Sequence, residues 1–180
     1  VISKRDDVEL VAINDVASLD MMLYLLQNDS VHGGFESEVS ELEDGNLSID
    51  GKKVLISSQT DPKNLDFAKC GADVVIECSG KFLTKDLVQH HIDKGVKKVI
   101  FSAPAEDDTP TFVLGVNEEK YSGEDIISNA SCTTNCLGPI AKILDDEFGI
   151  EKGLMTTIHS YTNDQSILDV THKRDKRRAR

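Results

Sequence analysis

Short apolar runs alternate with stretches of helical spacing along most of the chain. Residues 9–15 form a continuous apolar run closed by Asn14 and Asp15, the mark of a buried strand in a parallel sheet. Ser18 stands where a helix cap belongs, followed by Met21, Met22, Leu25 and Leu26 at helical intervals. Between residues 38 and 57 the rhythm changes. Val39, Leu42, Leu47, Ile49 and Val54 sit among Glu, Ser and Lys, with turn pairs at Asp44-Gly45 and Asp50-Gly51. That pattern predicts antiparallel hairpin structure. Asp61-Pro62 predicts a short helix through Cys70, since proline suits a first helical turn. A strand over 73–78, a helix over 84–94 and strands over 97–102 and 125–128 follow. A long helix then starts at Cys132, with Leu137, Ile140, Ala141, Leu144 and Phe148 on one face and Gly149 as its stop. Pro139 lies inside it and predicts a kink. Residues 154–160 are β-rich, and 161–180 show no period and read as a long loop.

Strands alternating with helices over short links predict an α/β fold with a doubly wound, mostly parallel sheet. Ligands of such sheets sit at the carboxyl ends of the strands. Asp15, Ser79-Gly80 and Ser102-Ala103 all fall at predicted carboxyl ends, and an acid there is where dinucleotide-binding folds hold ribose hydroxyls.

Composition narrows the class. The 180 residues are 39% hydrophobic, enough to bury a core. Four cysteines without regular spacing suggest neither a disulfide framework nor a zinc site. No apolar run reaches the roughly 18 residues of a membrane span and no signal peptide is visible, so a cytoplasmic setting is expected. The net charge is −12, but the segment from His172 to Arg180 holds six cations and one anion, leaving 14 cations against 31 anions elsewhere. A basic run of this kind is either a solvated tail or an anion-binding patch. The acidic body argues against general nucleic-acid binding, in which phosphate contacts dominate.

The densest chemistry lies in Ser128-Asn129-Ala130-Ser131-Cys132-Thr133-Thr134-Asn135-Cys136, where a predicted strand meets a predicted helix. With Ser131 as N-cap, Cys132 falls on the first helical turn. Unpaired N–H groups and the positive dipole end lower the pKa of a thiol there. His159, 27 residues on, is a candidate base for that thiol. A buried structural cysteine and a structural histidine are the alternatives.

The nine-residue stretch resembles the active-site signature of phosphorylating glyceraldehyde-3-phosphate dehydrogenases, bacterial type, and the resemblance spans essentially the whole chain. Asn14-Asp15, Ser30-Val31-His32-Gly33, Glu77-Cys78-Ser79-Gly80 and Ser102-Ala103-Pro104-Ala105 resemble the family's cofactor domain. Gly115-Val116-Asn117 and His159-Ser160-Tyr161-Thr162-Asn163-Asp164-Gln165 match further segments, and Arg177-Arg178-Ala179-Arg180 resembles a subunit-contacting loop. The resemblance implies a Rossmann-like NAD-binding domain over 1–131 and the start of an α+β catalytic domain over 132–180. It implies Cys132 as the nucleophile, forming a thiohemiacetal and then a thioester that inorganic phosphate attacks, with His159 as the base. Ser131, Thr133, Thr162 and Arg178 would meet substrate or phosphate. Asp15, Thr60, Ser102 and Asn163 would contact NAD. The substrates implied are glyceraldehyde 3-phosphate and inorganic phosphate, and the assembly a homotetramer. Residues 1–8 contain no glycine, so the Gly-rich turn and first strand of the family lie outside the chain. The resemblance therefore reads as an internal fragment cut at both ends, expected to be inactive alone. An erythrose-4-phosphate dehydrogenase and a non-catalytic anion- or nucleic-acid-binding protein are the alternative functions.

Overall fold

A computed structural model describes residues 2–172 and 175–179. Contacts divide the chain into two compact units. One comprises the residues up to Thr60 together with those from His159 onward, and the other runs from Asp61 to Ile158.

The first unit is built on a four-stranded sheet in the order β1 (Ala12–Asn14), β4 (Lys52–Ser57), β3 (Leu47–Ile49), β2 (Val39–Glu41). Strand β1 runs parallel to β4, with Ile13 opposite Ile56, and the other pairs are antiparallel. Strand β1 is shorter than the expected run and only half-buried. The β3–β4 turn places Asp50 at φ 49° and Gly51 at φ 78°. Two successive positive φ angles are what a two-residue hairpin of the sheet's own twist requires. Leu47, Ile49 and Val54 are buried, and Leu19, Leu23 and Leu26 of helix α1 (Leu19–Gln27) pack against them. The Ser18 hydroxyl accepts the Met21 N–H at 3.3 Å, confirming the expected cap. Beyond Thr162 the chain forms two short 3₁₀ turns, Asn163–Gln165 and Lys176–Ala179, where a featureless loop was expected. Asp169 ties this segment back by accepting from the Ser30 N–H and hydroxyl, both at 2.8 Å, and Lys176 pairs with Asp20 at 2.6 Å.

The second unit is a three-stranded parallel sheet, β5 (Val74–Glu77), β6 (Lys98–Phe101) and β7 (Ile126–Ser128), in that order. Helix α2 (Lys85–Asp93) links β5 to β6 as the crossover that parallel pairing demands. Val75, Leu83, Val88, Val96, Val99, Phe101 and Ile126 form its core. Val74 and Ile76 remain about half exposed, so β5 is covered on one face only. The expected helix over 61–70 is instead two 3₁₀ turns, Pro62–Asn64 and Ala68–Cys70. Leu65 caps the first in an extended conformation, and the Lys94 ammonium donates to the Lys63 and Leu65 carbonyls at 2.6 Å each.

Helix α3 (Cys132–Phe148) has the expected start, ends with Gly149 at φ 72°, and carries Pro139 within it. Gly138 lets it approach the 113–116 turn, since a Cβ there would lie 3.3 Å from a Val116 methyl. Its apolar face is not a core face: Ile140, Leu144 and Phe148 are 52%, 45% and 82% exposed. Residues 154–160 form no strand, and Leu154 and Ile158 are fully exposed. With no neighbouring strand to pair with, β propensity alone does not make a ladder. No described helix is long and apolar enough to cross a membrane.

Candidate active site

The register of the parallel sheet sets the site in the second unit. Glu77 stands opposite Phe101, and Phe101 opposite Ser128, so all three strands end together. The residues that follow them, Cys78-Ser79, Ser102 and Asn129 to Cys132, therefore share the carboxyl edge. Hydrogen bonds close that edge: Ser102 N–H donates to the Glu77 carbonyl and Asn129 N–H to the Phe101 carbonyl, each at 3.0 Å. The Glu77 carboxylate turns back to accept the Ser79 N–H at 2.6 Å.

The chain then enters α3. Ser131 has extended backbone, φ −101° and ψ 166°, and its hydroxyl accepts the Thr134 N–H at 3.0 Å. This is the expected N-cap, and it makes Cys132 the first helical residue. Cys132 is exposed, and Ser131 and Thr133 are half-buried beside it. Cys136, one turn further, is exposed as well. The structure thus brings Ser131, Cys132, Thr133 and Ser102 to one sheet edge. The helix start supplies them with N–H groups and a positive end suited to an anionic sulfur or ligand oxygen.

The remaining candidates belong to the first unit. Asp15 directly follows β1, is exposed, and accepts the Ala17 N–H at 2.7 Å through one carboxylate oxygen. Asn14 beside it braces the strand ends, accepting the Gln59 N–H at 2.8 Å and the Ser57 hydroxyl at 2.9 Å while donating to the Gln59 carbonyl at 3.0 Å. Thr60 is exposed at the end of the same segment. His159 is exposed on an irregular segment, with Nδ1 2.5 Å from the Ser160 carbonyl. Thr162 is half-buried at the start of the 3₁₀ turn that contains Asn163, and its N–H donates to the Gln165 side chain at 3.1 Å. Arg178 pairs with Asp175 at 3.4 Å. Lys173, Arg174 and Arg180 of the basic run lie outside the described residues. The Cys132–His159 pair is thus divided between the two units. Among the described residues no group of three or more His, Cys, Asp or Glu is placed to hold a metal ion.

Sequence reasoning missed two residues that shape the Cys132 turn. Ala130 has φ 60° and is 5% exposed, and nothing in an alanine announces a left-handed backbone. Asn135 had a legible signal. Asparagine is a poor helix former, so its place one turn into α3 calls for a specific partner.

Two segments of the chain match described protein families. Residues 1–85 match the family described as glyceraldehyde 3-phosphate dehydrogenase, NAD binding domain, and residues 131–180 match the glyceraldehyde 3-phosphate dehydrogenase C-terminal domain. The glyceraldehyde-3-phosphate dehydrogenase of Bacteroides fragilis is 52% identical over 175 residues, 97% of this chain and 52% of that protein. Glyceraldehyde-3-phosphate dehydrogenase A of Escherichia coli K12 is 49% identical over 177 residues, 98% of this chain and 53% of its own. Glyceraldehyde-3-phosphate dehydrogenase 1 of Bacillus subtilis is 52% identical over 176 residues, 97% of this chain and 52% of its own. The chain spans about half the length of the curated relatives it matches.

Proposed function

Since the chain belongs to the glyceraldehyde-3-phosphate dehydrogenase family, we propose that the protein oxidises glyceraldehyde 3-phosphate with NAD and inorganic phosphate to 1,3-bisphosphoglycerate. The observation that carries this reading is the placement of Cys132, an exposed thiol opening an N-capped helix at the carboxyl edge of a parallel sheet. A thiolate is favoured there, and a carbonyl carbon arriving at that edge meets it directly.

In this reading the Cys132 thiolate adds to the aldehyde carbon, and His159 as an imidazolium gives its proton to the resulting oxygen, forming a thiohemiacetal. His159 then takes that hydroxyl proton back as the carbonyl reforms, leaving an acyl thioester on Cys132. Phosphate attacks the thioester carbon and the Cys132 thiolate leaves. Ser131, Thr133 and Thr162 offer hydroxyls to substrate or phosphate oxygens, and Arg178 offers a fixed positive charge. NAD supplies the hydride acceptor for the oxidation. The residues present suit it: Asp15 follows a parallel strand with its second carboxylate oxygen left for ribose hydroxyls, and Ser102 lies exposed at the edge that carries Cys132. Thr60 and Asn163 are the further cofactor contacts. Residues 1–131 serve as the cofactor-binding part and 132–180 as part of the catalytic domain. The protein works as a cytoplasmic homotetramer.

The test is NADH formation by the full-length polypeptide, followed by absorbance with glyceraldehyde 3-phosphate, NAD and phosphate. Cys132→Ala should leave no measurable turnover. His159→Asn should lower kcat by about 10²- to 10⁴-fold, the range of general acid–base catalysis. Near-normal turnover by Cys132→Ala would refute the nucleophile assignment.

A further inference from the structure

The turn that delivers Cys132 is strained and held from one side by one amide. Ala130 occupies the left-handed region at φ 60°, unfavourable for any residue with a Cβ and persistent only where the surroundings over-determine it. Ser128, fully buried, helps from the strand side: its hydroxyl donates to the Ala103 carbonyl at 2.8 Å and accepts the Ala130 N–H at 3.1 Å. From the helix side the Asn135 carboxamide reaches back over Ala130. Its Nδ2 donates to the Asn129 carbonyl at 2.7 Å and to the Ser131 carbonyl at 2.9 Å. Both acceptors are carbonyl oxygens, so the amide orientation is fixed, and both amide hydrogens are used. The Asn135 backbone N–H also donates to the Ser131 carbonyl at 2.9 Å.

Planarity of the peptide links these bonds to the thiol. The Ser131 carbonyl and the Cys132 N–H belong to one trans unit and point opposite ways. Pinning the carbonyl down the helix therefore aims the Cys132 N–H outward from the helix start and fixes the direction in which the Cys132 Cα–Cβ bond leaves it.

We propose that Asn135 is a positioning residue for Cys132: its carboxamide holds Ala130 in the left-handed turn and thereby sets the orientation of the Ser131–Cys132 peptide and the thiol. The proposal rests on the assignment of Cys132 as the nucleophile. Asn135 exerts this role through its hydrogen bonds to the Asn129 and Ser131 carbonyls. It acts through the backbone.

The test uses the full-length protein and the pH dependence of carbamidomethylation by iodoacetamide, read separately at Cys132 and Cys136 by peptide mass spectrometry. Cys136 serves as an internal reference on the same helix. In the unmutated protein Cys132 should react with a midpoint below that of Cys136. In Asn135→Ala the Cys132 midpoint should rise by about one pH unit as the thiol leaves its place over the helix start. The kcat should fall roughly tenfold or more, as misplaced reacting groups lose rate, while KM for the aldehyde changes by less than about twofold. Adding Ala130→Gly should recover most of both losses, because glycine enters the left-handed region without the amide's help. The Cys136 midpoint should not move in any variant. Should Asn135→Ala fail to fold, Asn135→Ser, which keeps one donor, carries the same comparison. A Cys132 midpoint unmoved by loss of the Asn135 amide, or moved and not restored by Ala130→Gly, overturns the proposal. Equal midpoints at Cys132 and Cys136 in the unmutated protein overturn the nucleophile assignment, and this proposal falls with it.

Discussion

Acid should loosen the second unit through His91. This side chain is 3% exposed on α2, its ring 3.8 Å from that of His90 and 5.5 Å from that of Phe67. Its Nδ1 has no hydrogen-bond partner among the described residues. Burial first, then the neighbouring His90 and Lys94 charges, push its pKa down from 6.5 to about 4. The end of a helix ordinarily favours a protonated histidine, but here desolvation wins. His90 is shifted down too, mainly by burial, with Lys94 adding to the shift and Asp61 opposing it. A folded value below the unfolded one means that the unfolded chain takes the proton first. The stability that neutral His91 contributes is therefore intact above pH 6.5 and is lost as pH falls towards 4. The loss amounts to about 2 kcal/mol at pH 5 and approaches about 3 kcal/mol below pH 4. The measurement is urea unfolding followed by far-ultraviolet circular dichroism at pH 7 and pH 5, for the unmutated protein and His91→Leu. Leucine fills a similar volume and removes both the titration and the orphaned nitrogen. The stability drop between the two pH values should be smaller by about 2 kcal/mol in the variant, with stability at pH 7 held or raised. Equal drops in the two proteins would show that His91 is not held neutral by its surroundings, and the argument from burial would fail.

Further outcomes follow from the same structure. Leu47 is fully buried in the first unit, so Leu47→Ala should lower its stability by about 2–5 kcal/mol in denaturant unfolding. Gly51 stands at φ 78° with open space where a Cβ would go. Gly51→Ala should thus cost about 1 kcal/mol from backbone conformation alone, measured by the same unfolding curves. Ser131→Ala removes the hydroxyl that accepts the Thr134 N–H and should cost about 1 kcal/mol while raising the midpoint of Cys132 alkylation. Asp15→Ala should raise the Kd for NAD by calorimetry and narrow the gap to NADP, because the carboxylate no longer repels a 2′-phosphate.

Local rules made much of the fold legible. Ser18, Asp44-Gly45, Asp50-Gly51 and Gly149 each declare a cap or a turn by their own backbone preferences, and each stands where expected. The parallel and hairpin strand pairings also stand as expected; what failed were the readings of which apolar segments the rest of the chain covers. The apolar face of α3 and the β-rich 154–160 segment have the composition of buried elements, yet Phe148, Leu154 and Ile158 are exposed. Periodicity reports that a surface is apolar. It does not report what covers it. The 61–70 stretch failed for a different reason: Lys94 draws the Lys63 and Leu65 carbonyls into its own hydrogen bonds, and an extended Leu65 ends the first turn.

The candidate site divides along the same line. Ser131 as cap and Cys132 as first helical residue follow from residue type and order, and the structure agrees. The geometry that gives Cys132 its direction does not follow from residue type. It arises because the Ala130 left-handed turn, the Ser128 hydroxyl and the Asn135 amide satisfy one another, and an alanine carries no trace of that arrangement. Asn135 is the exception that shows how the rest becomes readable: a residue that disfavours helix, placed inside one, is stable there only if its amide is occupied. Two backbone carbonyls flanking the strained residue supply that occupation. A residue against its local preference next to a reactive side chain is therefore a signal of the supporting structure, legible before any coordinates.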